Sequence, residues 1–172
     1  LKTFPEQHPS NLPFDALIVM GVCGCGKSTI GKSLASEYSI QLEDADDYHP
    51  KSNVDKMAKG IPLTDEDRAP WYALLRQRLI KANEDKAPVV LACSALKAIY
   101  REQMKFPDCR FAFVYLEGDY ETLKSRLEER QDHFMPTSLL DSQLATLEFP
   151  TEAIVVNINL SVEDIVKAVK AE

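Results

Sequence analysis

Positive charge is scarce in this chain, and so are aromatic rings, cysteines and long apolar runs. Lys and Arg number 20 against 27 Asp and Glu, a formal charge of −7. That balance gives no broad electrostatic drive toward nucleic acid or anionic lipid. An anionic ligand must therefore be held by a local cluster of cations and backbone N–H groups. Aromatics make up 8% of the residues, so aliphatic side chains must fill the core. No apolar run reaches membrane-spanning length. Residues 1–15 are polar, hold three prolines and contain no apolar signal core. Four cysteines, at 23, 25, 93 and 109, lack the paired spacing of a zinc site and are too few for a disulfide framework in a chain of this length. Together these absences predict a reducing, cytoplasmic setting with no nucleic-acid and no membrane partner.

What is present is an alternation of short aliphatic runs with amphipathic stretches, the pattern of a parallel sheet covered by helices. Residues 16–20 (ALIVM) read as a central strand buried on both faces. Residues 89–93 and 111–116 look the same, 153–158 suit a last strand, and 40–42 a weaker one. Helices are predicted over 27–38, with Ile30, Leu34 and Tyr38 on one face, and over 68–84, with Trp71, Leu74, Leu75 and Leu79 on one stripe. Asp119 can cap a third, carrying Tyr120, Leu123 and Leu127. Ser138-x-x-Asp141 and Ser161-x-x-Asp164 fit capping boxes, and the last helix should bury Val162, Ile165, Val166 and Val169. The organisation expected is an N-terminal tail (1–15) and a single α/β domain (16–172). Its two least core-like stretches, 44–67 and 130–136, suit a substrate flap and a lid.

Gly21-Val-Cys-Gly-Cys-Gly-Lys27-Ser28 matches G-x-x-x-x-G-K-[ST] at every fixed position, after a buried strand and before a helix. In that setting Gly21, Val22, Cys23, Gly24, Cys25, Gly26, Lys27, Ser28 and Thr29 form a phosphate cradle. The glycines allow positive φ and close backbone approach, and the helix N-terminus adds partial positive charge. Lys27 brings a full charge to the β and γ oxygens of ATP, and the Ser28 hydroxyl can ligate Mg²⁺. A glycine-rich turn that merely joins strand and helix would not need the lysine.

Glu43-Asp44-Ala-Asp46-Asp47 closes the second strand, and in a parallel sheet the carboxyl ends of strands face the ligand crevice. Residues two apart on an extended strand point the same way, so Asp44 and Asp46 should share a face. Asp44 would hold Mg²⁺ through water, and Asp46 would deprotonate a substrate hydroxyl. The bland alternative is a solvated acidic loop.

The run Asp44-Ala-Asp-Asp-Tyr-His-Pro50, then Asn53, Lys56-Met57, Gly60-Ile-Pro-Leu63 and Asp65-x-Asp67-Arg68-x-x-Trp71 resembles the gluconokinase family. So do Ala92-Cys-Ser-Ala-Leu-Lys97 with Tyr100-Arg101, His133-Phe-Met-Pro136 and Gln143-x-x-x-Leu147-Glu148. The resemblance spans about residues 16–150. It implies phosphorylation of D-gluconate to 6-phospho-D-gluconate by ATP. It also implies a three-layer P-loop kinase fold with a five-stranded parallel sheet, a mobile lid and a homodimer. It assigns sugar-acid binding to the segment after Asp46. The candidates there are Asp46, His49, Asn53, Lys56, Arg68, Lys97, Arg101 and His133, with Arg68 best suited to grip a carboxylate. By resemblance to lid-bearing kinases, Arg126 would lie against the adenine and Arg130 would reach the transferring phosphate. Trp71 reads as core. One departure stands out: the family has Ser-Gly-Ser where this chain has Cys23-Gly24-Cys25. Cysteine is small enough to fit, so the change reads first as a neutral small-residue swap that leaves phosphate binding intact. The alternative is a thiol at a helix N-terminus with a lowered pKa that oxidises readily and makes activity sensitive to mild oxidant.

Two other readings share these features. A kinase for shikimate or another polyhydroxy acid would differ only within 47–101. A nucleotide-dependent switch without turnover would need neither Asp46 nor Arg130.

Overall fold

The structure is a computed structural model, and it describes residues 11–130 and 136–172. Five parallel strands, β1 (Ala16–Met20), β2 (Gln41–Asp44), β3 (Val89–Ala92), β4 (Phe111–Glu117) and β5 (Ile154–Asn157), form one sheet in the order β2-β3-β1-β4-β5. Central β1 pairs with β3 (Ala16 opposite Val89) and with β4 (Ala16 opposite Phe111). All five of its residues are buried, as an uninterrupted apolar run between two helical layers requires. The chain leaves β1 toward β2 on one side and later toward β4 on the other. This opens a crevice at the carboxyl ends of the central strands.

Seven helices among the described residues cover the sheet: α1 (Lys27–Tyr38), α2 (Lys51–Ala58), α3 (Asp65–Glu84), α4 (Ala98–Met104), α5 (Tyr120–Glu129), α6 (Thr137–Thr146) and α7 (Val162–Lys170). α3 starts at Asp65, three residues before the start predicted at 68. Thr64 accepts from the Asp67 N–H, and Asp67 accepts from the Thr64 N–H, a reciprocal capping box. Three acids occupy its first turn, where the helix field favours them. Leu74, expected on the buried stripe, is 43% exposed, because the face against the sheet is set by Trp71, Tyr72, Leu75 and Leu79. Val162 is likewise exposed at the start of α7, while Ile165 and Val169 are buried. Ser161 caps α7 as its spacing suggests. Ser138 caps nothing: α6 begins one residue earlier, behind Pro136.

The stretch expected as a flap, 44–67, holds a 3-10 turn (Ala45–Tyr48), α2 and the cap of α3. Residues 11–15 are strapped to the domain. Phe14 is buried, and Arg110 binds the Asp15 carboxylate and the Leu12 carbonyl. No helix among the described residues is long and apolar enough to cross a membrane.

Candidate active site

The phosphate cradle occupies the crevice at the end of β1. Gly21, Gly24 and Gly26 all have φ between +84° and +149°, the region that side chains avoid. At Gly21 there is no room either, since a Cβ would stand 2.7 Å from Cys25 Sγ and 3.1 Å from the Leu116 carbonyl. The Gly21 N–H is fixed from the segment after β3 by the Ser94 carbonyl, 3.3 Å away. Val22 is buried and offers the site only backbone, whereas Ser28 and Thr29 are exposed on the first turn of α1. That turn carries no acidic residue, so the positive end of the helix faces the crevice uncompensated. Lys27 arches over the loop and donates to the Gly21 and Val22 carbonyls at 3.0 and 3.2 Å. Burial works against its charge, but the negative charge of Asp46 and of the neighbouring Cys25, Cys23 and Cys93 sulfurs in their ionised form outweighs burial and leaves its pKa above the ordinary lysine value.

The burial of the two thiols favours the neutral small-residue swap over a reactive pair. Both are buried, and burial pushes Cys23 up to about 11 despite the nearby Lys27 and Arg130 charges. A thiol so placed is protonated at neutral pH and reacts slowly with oxidants.

Arg126 binds the Ile158 carbonyl at 2.9 Å, and its Nη1 lies 3.7 Å from where a Gly26 Cβ would stand. It is thus beside the cradle. Arg130 is the exposed C-cap of α5, with its charge acting on the Cys23 thiol. His133 lies outside the described residues.

On the opposite side, one cleft is lined jointly by Cys23, Lys27, Asp46, His49, Arg68, Trp71 and Gln143. Asp44 and Asp46 do not alternate along a strand. β2 ends at Asp44, whose carboxylate turns to accept from the Asp46 N–H at 2.9 Å and so caps the 3-10 turn. That turn, rather than strand pleating, brings Asp46 to the cleft. Trp71 fixes the turn from below: its Nε1–H donates to the Ala45 carbonyl at 2.7 Å. Trp71 is core, 1% exposed, and also the cleft floor. His49 stacks on it at 3.8 Å between centroids and places Nε2 3.7 Å from the Asp46 carboxylate. Asn53 stands 3.3 Å from the other ring nitrogen and also donates to the Asp67 carbonyl. Burial, helped by the Arg68 charge, pushes the His49 pKa down to about 4. The imidazole is therefore neutral at physiological pH.

The four cations proposed for a substrate carboxylate separate here. Lys56 is paired with Asp67 at 2.9 Å, and that bond with the Thr64 N–H holds the Asp67 carboxyl at about 2. Lys97 is paired with Asp65 at 3.1 Å. Arg101 does not reach the cleft. Its guanidinium is buried against the carbonyls of Ala95, Leu96 and Glu148, where it ties α4 to the segment before β5. Arg68 lines the cleft and forms no ion pair among the described residues; one N–H goes to the Tyr100 hydroxyl at 3.0 Å. Within the acid run, Glu43 is also structural, bound by Arg78 at 2.8 Å.

Gln143 was not among the expected site residues. Its Oε1 accepts from the Cys23 N–H at 2.7 Å, so α6 is tied directly to the cradle. The only sequence signal for it was its place in the Gln143-x-x-x-Leu147-Glu148 motif. Glu148 of the same motif caps α4 by accepting from the Ala98 N–H.

Residues 23–149 match the family model described as shikimate kinase. A gluconokinase of Gluconobacter oxydans is 48% identical over 134 residues, covering 78% of this chain and 75% of that protein. Among solved structures, a gluconokinase from Sinorhizobium meliloti superposes with a TM-score of 0.80 at 40% identity, covering 91% of this chain and 89% of that one. A sugar kinase from Janibacter gives a TM-score of 0.84 at 38% identity, covering 92% and 94%.

Proposed function

Because this chain belongs to the gluconokinase family of P-loop kinases, we propose that it transfers the γ-phosphoryl group of ATP to the 6-hydroxyl of D-gluconate. The observation that carries the reading is the shared lining of one cleft by Lys27, Asp46 and Arg68. A phosphate-binding ammonium, a carboxylate and a buried cation that forms no ion pair among the described residues thus face a single volume. Shikimate, which gives the matched family model its name, is not favoured, since the curated relatives at high identity are gluconokinases.

Arg68 receives the gluconate carboxylate, and this leaves the far end of the chain, with its primary alcohol, toward the cradle. Asp46 accepts the hydroxyl proton as the oxygen attacks the γ-phosphorus. The bond from that phosphorus to the bridging oxygen of the β-phosphate breaks, and ADP leaves. His49, neutral, holds its N–H near Asp46 and can also donate to a substrate hydroxyl. The cradle amides, Lys27 and Arg130 stabilise charge on the transferring group, and this positioning accounts for most of catalysis in phosphoryl transfer. Arg126 flanks the nucleotide.

Magnesium fits the donors present. Ser28 offers a hydroxyl and Asp44 a carboxylate, while the described residues contain no cluster of three or more His, Cys, Asp or Glu. Ser28 and Asp44, the latter through water, would hold such an ion, which would supply charge neutralisation at the phosphates of ATP. A homodimer and a cytoplasmic setting extend the same reading, and sedimentation of the purified chain tests the first.

The test is a coupled ADP-release assay with gluconate, shikimate and glucose as acceptors. Gluconate should turn over with kcat/KM at least about 100-fold above the others. Turnover of shikimate with none of gluconate would overturn the assignment.

A further inference from the structure

Arg68 and Asp65 stand three apart on α3, the spacing at which opposite charges on a helix meet. A direct pair would quench the guanidinium and close it to a substrate carboxylate. The structure keeps them apart. The hydroxyl of Tyr100, on α4, lies between them, accepting from Arg68 Nη1 at 3.0 Å and donating to the Asp65 carboxylate. Asp65 is also held by Lys97, which donates to both of its oxygens at 3.1 and 3.4 Å and shares Oδ1 with the Tyr100 hydroxyl.

The phenol itself is fixed. Tyr100 is 2% exposed and stacks on Tyr72 at 5.0 Å. The Arg68 guanidinium sits 5.3 Å and the Lys97 ammonium 5.6 Å from its ring centre. Burial and the Asp65 carboxylate both raise its pKa, so the proton stays on the phenol.

We infer that Tyr100 is a positioning residue for sugar-acid recognition: its neutral hydroxyl takes one N–H of Arg68 and holds off Asp65, leaving the remaining donors and the positive charge for the substrate carboxylate. Lys97, on the same argument, acts through Asp65 rather than on the substrate. A neutral acceptor uses one of five guanidinium N–H groups without cancelling the charge. A carboxylate in its place would form a two-bond fork and cancel it. The inference deepens the proposed function and rests on Arg68 as the carboxylate ligand.

Tyr100→Phe keeps the ring and its stacking but removes the hydroxyl that separates the charges. Gluconate KM should rise about 10- to 100-fold, with KM for ATP within about twofold of wild type. Adding Asp65→Asn to Tyr100→Phe removes the competing carboxylate and should return gluconate KM to within about threefold of wild type. A purely structural role would not be rescued by a second change in the same cluster. Lys97→Met, on the surface, gives a weaker version that does not depend on folding of the Tyr100 variant. It should raise gluconate KM about two- to fivefold, and Asp65→Asn should abolish that rise. Unchanged gluconate KM in Tyr100→Phe, or a raised KM that Asp65→Asn leaves in place, overturns the inference. Arg68→Met separates the two levels. A large rise in gluconate KM there with none in Tyr100→Phe defeats the Tyr100 role alone, whereas no rise in Arg68→Met defeats the carboxylate assignment and the inference with it.

Discussion

Replacing Trp71 by Phe tests whether the floor of the cleft holds the proposed base. The indole N–H donates to the Ala45 carbonyl at 2.7 Å, and Ala45 is fully buried. Phe cannot donate, so that carbonyl would be left unpaired, at a cost of about 1–3 kcal/mol. The stack with His49 at 3.8 Å would be weakened as well, by about 0.5–1 kcal/mol. A loss on the order of 2–4 kcal/mol in a domain of this length lowers Tm by roughly 5–15 °C. Activity should fall by more than the folded fraction accounts for, because Ala45 precedes Asp46 on the pinned turn. Displacing a reacting group by about 1 Å can cost on the order of 100-fold. Circular-dichroism melts give the first quantity, and kcat under conditions where the variant is fully folded gives the second. A Tm within about 2 °C of wild type, together with unchanged kcat, would refute the idea that the indole bond positions the turn.

Three other outcomes follow from the site. Asp46→Asn should lower kcat by about 100- to 10,000-fold, the usual worth of a general base, while calorimetry finds ATP affinity retained; unchanged kcat would rule Asp46 out as the base. With its pKa pushed down to about 4, folded His49 refuses a proton that the unfolded chain accepts below about pH 6.5. Stability should therefore fall as pH drops from about 6.5 to 4, by on the order of 1–2 kcal/mol once screening at the open cleft is allowed for. In urea melts at pH 7 and 4.5, His49→Gln should flatten that dependence. The buried Cys23, with its thiol pushed up to about 11, should leave activity intact after mild peroxide treatment, and rapid thiol-reversible inactivation would contradict the burial.

How much of this was legible in the sequence depends on whether the signal was local. The cradle was readable because backbone N–H groups can wrap a phosphate only at fixed glycine spacing, and Ala16–Met20 and Lys27–Tyr38 fell where expected. The parallel sheet followed from uninterrupted aliphatic runs. The 3-10 turn at Ala45–Tyr48 was not readable, because it depends on an indole donated 26 residues later in the chain. For the same reason Asp44 and Asp46 do not sit on one extended strand as their two-residue spacing suggests: β2 ends at Asp44, and the 3-10 turn carries Asp46. The fates of Lys56, Lys97 and Arg101 were hidden too: any exposed lysine or arginine reads as a free cation until its tertiary partner is seen. Gln143 meets Cys23 across 120 residues, which no periodicity reports. Of the two readings of Cys23, a reactive thiol and a neutral small-residue swap, burial favours the second, and burial is invisible in the sequence.

The most direct test follows the phosphorus atom itself. With purified protein, Mg·ATP and gluconate, ³¹P NMR should show a phosphomonoester coupled to the C6 protons, growing in step with ADP. ATP consumed to inorganic phosphate alone, or left untouched, would contradict a cleft built to join these two substrates.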